Sequence, residues 1–455
     1  SIARTFAISR LSLSSPLNYF PYAMKARPSL TTRPPRSSVS KRSGRRSTPA
    51  VKAKPVAAID IDANRRLLNR YRFVEQETMR ILAGWLPRAA TFELKCEIGR
   101  TIWENAQHVN ALYLRLREIQ SPAFQKPADA ALVSLMSELL HAPDEFALAL
   151  ALFRVITPSL IRALEAHEIA TFPNSDQPSV HVIKHALLDV RAQIERVEPL
   201  LAQAERSGKI TPAARAFEKY IRTLLANCGG IGGQEPRASA VPKVPAARTE
   251  FKSPKEAERD ARFTNRAADL EAMPGEDDYK EHTAEEFERY STEMLAAETV
   301  ALVMFSVKDM PWEFQFDTAR HLYDEVRHCL MGYEWMRGHG MDPFTSPQYL
   351  HIFKWRSQFP PVMQYCMLTM GNEVHAFPYR HRRVEAHQKS GDVLSEQFVR
   401  YDIADETQHV RFGKRWLPEL LKHVGEKRSL QQYTDEVIKV WETEYRTGKL
   451  TINVE

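Results

Sequence analysis

Apolar residues recur at helical spacing from about Thr283 to His423, and only three interruptions break the run. These are Asp309-Met310-Pro311, the segment from Gly338 to Pro347, and Lys389-Ser390-Gly391-Asp392. Four long helices result, at about 283–307, 313–337, 357–388 and 393–422, and a fifth, amphipathic helix is expected at about 429–446. Short connections join the first pair and the last pair, and a long one crosses between the pairs. That connectivity suits a four-helix bundle with one crossover.

The chemistry lies in what interrupts the apolar stripes. Glu325/His328 and Glu406/His409 stand in the second and fourth helices as Glu-x-x-His pairs. At i, i+3 both side chains leave one helical face, so both can reach one ion. The first and third helices each place a glutamate among apolar neighbours. Glu298 has Met294, Leu295, Ala301, Leu302 and Phe305 around it, and Glu373 has Cys366, Met370, Ala376 and Phe377. A buried unpaired carboxylate costs several kcal/mol, so packing alone does not account for either. Four carboxylates and two neutral imidazoles carry a charge that two divalent cations neutralise. Oxygen and imidazole donors without thiolate suit iron or manganese better than structural zinc. Asp324 and Asp405 each precede a ligand glutamate and are expected to hold the free imidazole N–H of the histidine on the facing helix. His321, one turn before Glu325, is expected beside the site, whereas His375 should point away from it. Glu138/His141 repeats the spacing but runs into Ala-Pro-Asp at a helix end and reads as structural. Tyr323, Tyr333 and Tyr401 read as packing residues rather than radical carriers.

The stretches Glu293-Met-Leu-Ala-Ala-Glu298, Tyr323-Asp-Glu-Val-Arg-His328 and Asp405-Glu-Thr-Gln-His-Val-Arg-Phe-Gly413 resemble the ferritin-like di-iron carboxylate superfamily, and most closely a ferritin-like family without an assigned reaction. The intervals from Glu298 to Glu325 and from Glu373 to Glu406 agree with that family. The resemblance covers about residues 282–425 and implies a ferritin-like four-helix bundle with metal ligands Glu298, Glu325, His328, Glu373, Glu406 and His409. It leaves the substrate open.

From about Ala63 to Ala226 helical spacing also prevails, as in Ile81, Leu82, Trp85 and Leu86. This region reads as a faded copy of the first. Trp103-Glu-Asn-Ala-Gln-His108 aligns with Tyr323-Asp-Glu-Val-Arg-His328, and Leu188-Asp-Val-Arg-Ala-Gln193 with Ala404-Asp-Glu-Thr-Gln-His409. Asn105, Val190 and Gln193 then stand where ligands should, and only His108 survives. The expected organisation is a basic tail over 1–58, a degenerate helical bundle over 59–226, a linker over 227–281, the metal-binding bundle over 282–425 and a C-terminal helix over 426–455. Within the linker, the glycines from Gly229 to Gly233 lack a phosphate-loop pattern and read as flexible, and a short helix is expected at about Pro254–Leu270.

Composition qualifies this all-α picture in two ways. The net charge is +6, yet residues 1–59 hold twelve Lys or Arg and no acid, which leaves the remaining 396 residues at about −6. The basic character belongs to the tail, so no nucleic-acid partner is expected for the folded body. Ser, Pro and Arg in that tail suit a presequence for a mitochondrion or other organelle. A disordered extension of a cytoplasmic protein, a weak nuclear address at Lys41–Arg46, or a start at Met24 are the alternatives. No membrane partner is expected, since no run of eighteen apolar residues was found. Cys96, Cys228, Cys329 and Cys366 are scattered, which disfavours a disulfide scaffold.

The expected activity is that of an O2-activating oxidase or hydroxylase with two iron ions, or manganese or a mixed pair. An unidentified small organic substrate and a reductase would be its partners. A ferroxidase or storage role and a metal-stabilised scaffold without activity are the alternatives.

Overall fold

The computed structural model describes residues 59–121, 126–127, 129–238, 249–266 and 278–452, and every regular element among them is helical. The basic tail, with the targeting expectations attached to it, lies outside the described residues.

The first half contains α1 (Ile61–Trp85), α2 (Phe92–Glu118), α3 (Ala130–Glu138), α4 (Glu145–Ala151), α5 (Thr157–Ala170), α6 (Pro173–Arg206) and α7 (Pro212–Cys228). The second contains α8 (Tyr279–Tyr290), α9 (Met294–Ser306), α10 (Trp312–Gly338), α11 (Leu350–Ser357), α12 (Pro361–Cys366), α13 (Glu373–Ser390), α14 (Val393–His423) and α15 (Leu430–Val440). Caps set several of these ends. The Asp60 side chain accepts from Ala63 N–H at the start of α1, and Asp392 accepts from Ser395 N–H at the start of α14. Between α13 and α14 the chain turns at Gly391, whose φ of 74° is left-handed and open to glycine without strain. α4 joins α5 through a π-helical segment, Leu152–Ile156, and α12 joins α13 through another, Met367–Asn372.

One apolar core runs through both halves. It includes Leu68 and Ile81 of α1, Ile102 of α2, Val300 and Ala301 of α9, and Leu322 and Val326 of α10. Each large aliphatic side chain fully buried there contributes roughly 1.5–3 kcal/mol. α2 and α10 approach so closely that a methyl group on Gly99 would lie 2.7 Å from Val326 Cγ2. The run from Glu145 to Ala170 is long and apolar enough to cross a membrane, but most of it is buried inside this core.

The segment expected as a linker is packed rather than loose where it is described. Ile231 is buried, its N–H donates to Ser159 Oγ at 3.1 Å, and its carbonyl accepts from Arg70 Nε at 2.7 Å. Residues 249–266 form turns and extended chain, so the described part of the helix expected at 254–270 is absent. Their hydrogen bonds run outward instead. Asp260 accepts from Phe92 N–H on α2, and Thr264 N–H donates to the Phe344 carbonyl.

Candidate metal centre

The first helical rod of the C-terminal half is interrupted at Ser291–Glu293, between α8 and α9, and α10 packs directly onto that break. Gly332 permits it: a Cβ there would meet Ser291 N at 2.3 Å and the Phe287 carbonyl at 2.5 Å. Cys329 Sγ donates to the Ser291 carbonyl one turn earlier. Glu293 emerges from the break towards α10. On α10 itself, His321, Glu325 and His328 follow at i, i+4 and i+7 and share one face. Asp402, Glu406 and His409 repeat that spacing on α14. Glu373 is the first residue after the π-helical segment, a feature often found beside functional sites. All but Glu293 among these are buried to 3% exposure or less.

The side chains converge in three overlapping groups able to hold a cation: His321, Glu325, Glu373 and His409; Glu293, Glu325 and His328; and His328, Asp402 and Glu406. Glu325 belongs to the first two and is the carboxylate placed to serve two ions. His328 Nδ1 lies 3.2 Å from Glu293 Oε2 and 3.6 Å from both Glu325 Oε2 and Asp402 Oδ1. His409 Nδ1 lies 3.5 Å from Glu325 Oε1 and 3.7 Å from Glu406 Oε2. The opposite ring nitrogens point to the crossing aspartates. His409 Nε2 is 3.3 Å from Asp324 Oδ2, and His328 Nε2 is 3.4 Å from Asp405 Oδ2. Those aspartates are held by Arg320 and Arg327, each of which contacts both. The His409 imidazole is hydrogen-bonded at Nε2 in this way, His328 lies alongside Asp405 without a hydrogen bond, and both present Nδ1 to the cluster.

The polar atoms left over identify what the cluster lacks. Both His328 ring nitrogens, His409 Nδ1, both Glu373 oxygens, Glu293 Oε2, Glu406 Oε2 and Asp402 Oδ1 are buried without a hydrogen-bond partner. Orphaned donors and acceptors of this kind cost about 1–3 kcal/mol each, more when charged. Their protonation in the metal-free chain follows the same crowding. Burial lifts the Glu293 carboxyl to about 7, against the pull of His328. Burial opposes charge on His328 as well, but Asp402, Asp405 and Glu293 hold its imidazole well above the ordinary range. Arg380 pairs with Asp402 through Nε and with Glu406 Oε1 at 3.0 Å. Five carboxylates less one guanidinium leave a charge of −4 beside neutral imidazoles, which two divalent cations balance. The residues fit such a pair.

No family model, curated protein or solved structure matches this chain.

Of the six residues expected as ligands, the structure brings Glu325, His328, Glu373, Glu406 and His409 together and takes Glu298 elsewhere. Glu298 sits on α9 in an ion-pair cluster with Lys95 of α2 and Arg259 of the inter-half segment, whose Nη1 and Nη2 reach it at 2.6 and 2.8 Å. Burial and the Arg259 charge lower Lys95 to about 8, against the opposing effect of Glu298. Glu293 takes the place foreseen for Glu298. His321 is nearer than a peripheral role implies: its Nε2 is 3.0 Å from Glu373 Oε1, and its ring stacks on His409 with centroids 3.8 Å apart. His375 instead donates from Nδ1 to the Gly371 carbonyl at 2.7 Å and packs on Trp441. Glu138 accepts from Tyr220 OH at 3.0 Å, away from the cluster. Sequence reasoning missed Asp402 and Arg380 along with Glu293. Asp402 had a visible signal, the shared face with Glu406 and His409. Arg380 had none, because its meaning depends on α14.

A cavity of about 500 Å³ opens onto Glu293, Glu325, Glu373 and Glu406. α11, the π-helical segment before Glu373 and the C-terminal segment with Trp441 and Tyr445 form its walls. Trp441 Nε1 donates to Asn372 Oδ1 at 2.7 Å, and its ring lies over Gly371, where a Cβ would come within 3.1 Å.

A second polar cluster occupies the corresponding depth of the N-terminal half. His108 Nδ1 lies 2.6 Å from Glu75 Oε2, and its Nε2 lies 3.0 Å from Asp189 Oδ2. Gln193 Nε2 donates to Asn105 Oδ1 at 3.0 Å. Burial opposes charge on His108, but Glu75 and Asp189 outweigh it and raise the imidazole to about 10. Here the His108 imidazole lies between one oxygen of Glu75 and one of Asp189, while Glu75 Oε1 has no hydrogen-bond partner.

Proposed function

We propose that residues 282–425 form a ferritin-like four-helix bundle holding two iron ions, and that this centre uses O2 to oxidise or hydroxylate a small organic substrate. The observation that carries the reading is the pair of Glu-x-x-His histidines: each has Nε2 against an aspartate of the facing helix and Nδ1 bare among carboxylates. A pair of iron ions with open positions supplies reductive O2 activation when bound. The chain's own residues prepare the setting. Glu325 is placed between the two groups, Asp324 and Asp405 face the imidazoles, and Arg380 holds Asp402 and Glu406 in place. Leu295, Ile352 and Leu368 line the cavity beside these acids and limit the entry of bulk water.

We further infer that the two halves descend from one duplicated unit. The Asp189–His108 contact matches Asp405–His328. Thr157 directly follows the π-helical segment Leu152–Ile156 as Glu373 follows Met367–Asn372, and each precedes its α6 or α14 counterpart, Val190 or Glu406, by the same 33 residues. The N-terminal copy has exchanged metal for hydrogen bonds.

Anaerobic loading with Fe(II), iron counting and exposure to O2 test the reading. Two irons per chain are expected, with O2 consumption and an absorption change that reducing agent reverses over repeated cycles. Glu325→Ala and Glu406→Ala should each bring the content well below two. Full occupancy in both variants would refute the ligand set, loading without O2 uptake would favour a structural metal, and steady accumulation of many irons would favour storage.

A further inference from the structure

Arg356, on α11, is 4% exposed and lines the cavity beside the acidic cluster. Its Nη1 donates to Thr299 Oγ1 at 3.2 Å, its Nε is buried without any partner, and no carboxylate among the described residues pairs with it. The other arginines of this wall are engaged differently. Arg380 is taken up by Asp402 and Glu406, Arg289 pairs with Glu285, and Arg446 is exposed beside Trp441. Once two divalent cations balance the acids and Arg380, the guanidinium of Arg356 is the buried charge left uncompensated. A buried charge of this kind calls for a partner. Beside the acids, the same cavity presents Tyr349, Ile352, Leu368, Trp441 and Tyr445, and the Arg356 guanidinium lies 6.0 Å from the Tyr445 ring centroid.

We propose that Arg356 anchors the carboxylate of an organic acid substrate, whose apolar body lies against Trp441 and Tyr445 and reaches the acidic cluster. The proposal deepens the functional reading above and rests on it for the word substrate. One uncompensated guanidinium balances one negative charge, which suits a carboxylate better than a phosphate dianion. Guanidinium and carboxylate also match as a two-pronged pair, a geometry that lysine does not reproduce. The cavity volume falls within the range of small-molecule sites.

The test uses the full chain, metal-free and iron-loaded, titrated with benzoate and with straight-chain carboxylates from butanoate to dodecanoate. Tryptophan fluorescence and calorimetry read the binding. At least one of these acids is expected to bind, benzamide is not, and Arg356→Met should weaken binding tenfold or more. Arg356→Lys keeps the charge and guards against a folding defect; a several-fold loss is expected there. Failure of the whole carboxylate series, equal binding of benzamide, or unchanged affinity in Arg356→Lys and Arg356→Met would each overturn the proposal. Inorganic phosphate binding more tightly than every carboxylate would also overturn it. Acid binding and iron uptake are read separately on the same preparation of full chain. A wild-type chain that binds acids but takes up no iron would therefore remove the metal reading alone, whereas iron uptake without acid binding would remove this proposal alone.

Discussion

At the scale of single residues, two glutamates five positions apart divide the work that the apolar stripe of α9 suggested for one. Glu298 has the more apolar neighbours in sequence, yet Lys95 and Arg259 neutralise it from 203 and 39 residues away. Glu298→Ala would leave two buried cations without their counter-charge. A loss of about 3–5 kcal/mol in unfolding free energy is expected, with iron content per folded chain unchanged. Glu293→Ala should do the reverse, weakening iron uptake while sparing stability in the metal-free chain. Urea unfolding and metal counting on the two variants distinguish them, and metal loss in folded Glu298→Ala protein would reinstate it as a ligand. The clue to Glu293 was present in the spacing. It precedes Glu325 by 32 residues, close to the 33 between Glu373 and Glu406, whereas Glu298 precedes it by 27. The Glu-x-x-His pairs and their aspartates were legible because they rest on local helical geometry. Arg356 and Arg380 were not, because their roles come from which partners tertiary packing supplies or withholds.

Among the elements, helices were legible wherever a stripe persisted, and the sequence intervals 313–337 and 393–422 lie within a residue or two of α10 and α14. Breaks inside a rod were less so. The interruption at Ser291–Glu293 carries no Pro or Gly; what admits it is Gly332 on the opposing helix, whose missing side chain leaves room for the displaced backbone. Of the π-helical segments, Leu152–Ile156 carries neither Pro nor Gly, and Met367–Asn372 carries only Gly371. Gly332→Ala should force apart α10 and the α8–α9 break, because the atoms that its methyl meets are backbone and have little freedom to yield. Overpacking of this kind costs typically about 1–3 kcal/mol. The same movement should shift Glu293, so weaker iron affinity is expected together with the lower stability. A denaturant midpoint and an iron titration on one preparation test both; unchanged iron affinity would mean that the break does not position Glu293. The segment between the halves shows the converse problem. Its Pro and charge content suggested a loose linker, whereas Arg259 and Asp260 are buried because Glu298 and the start of α2 await them.

For the whole molecule, the acidic cluster of the C-terminal half and the cluster around His108 in the N-terminal half are joined through one core. Because Leu68, Ile102, Val300 and Val326 belong to the same apolar cluster, the halves are expected to unfold in one transition. Chelator should lower that transition through the C-terminal cluster alone. The N-terminal cluster should respond to pH instead. His108 titrates near 6.5 in an unfolded chain and near 10 when folded. Its contribution is therefore complete below about pH 6.5, where the unfolded imidazole is also protonated. As pH rises from 6.5 towards 10, the folded state keeps a proton that the unfolded state has lost, and stability falls by about 1.4 kcal/mol per pH unit. His108→Gln removes this dependence. The difference in unfolding free energy between the native chain and His108→Gln, both with chelator, should be flat from pH 5.5 to 6.5 and shrink steadily up to pH 9. Iron content should be equal in the two. A difference that stays constant across the range, or grows with pH, would show that His108 is neutral in the folded protein and that no proton stands in for a metal there.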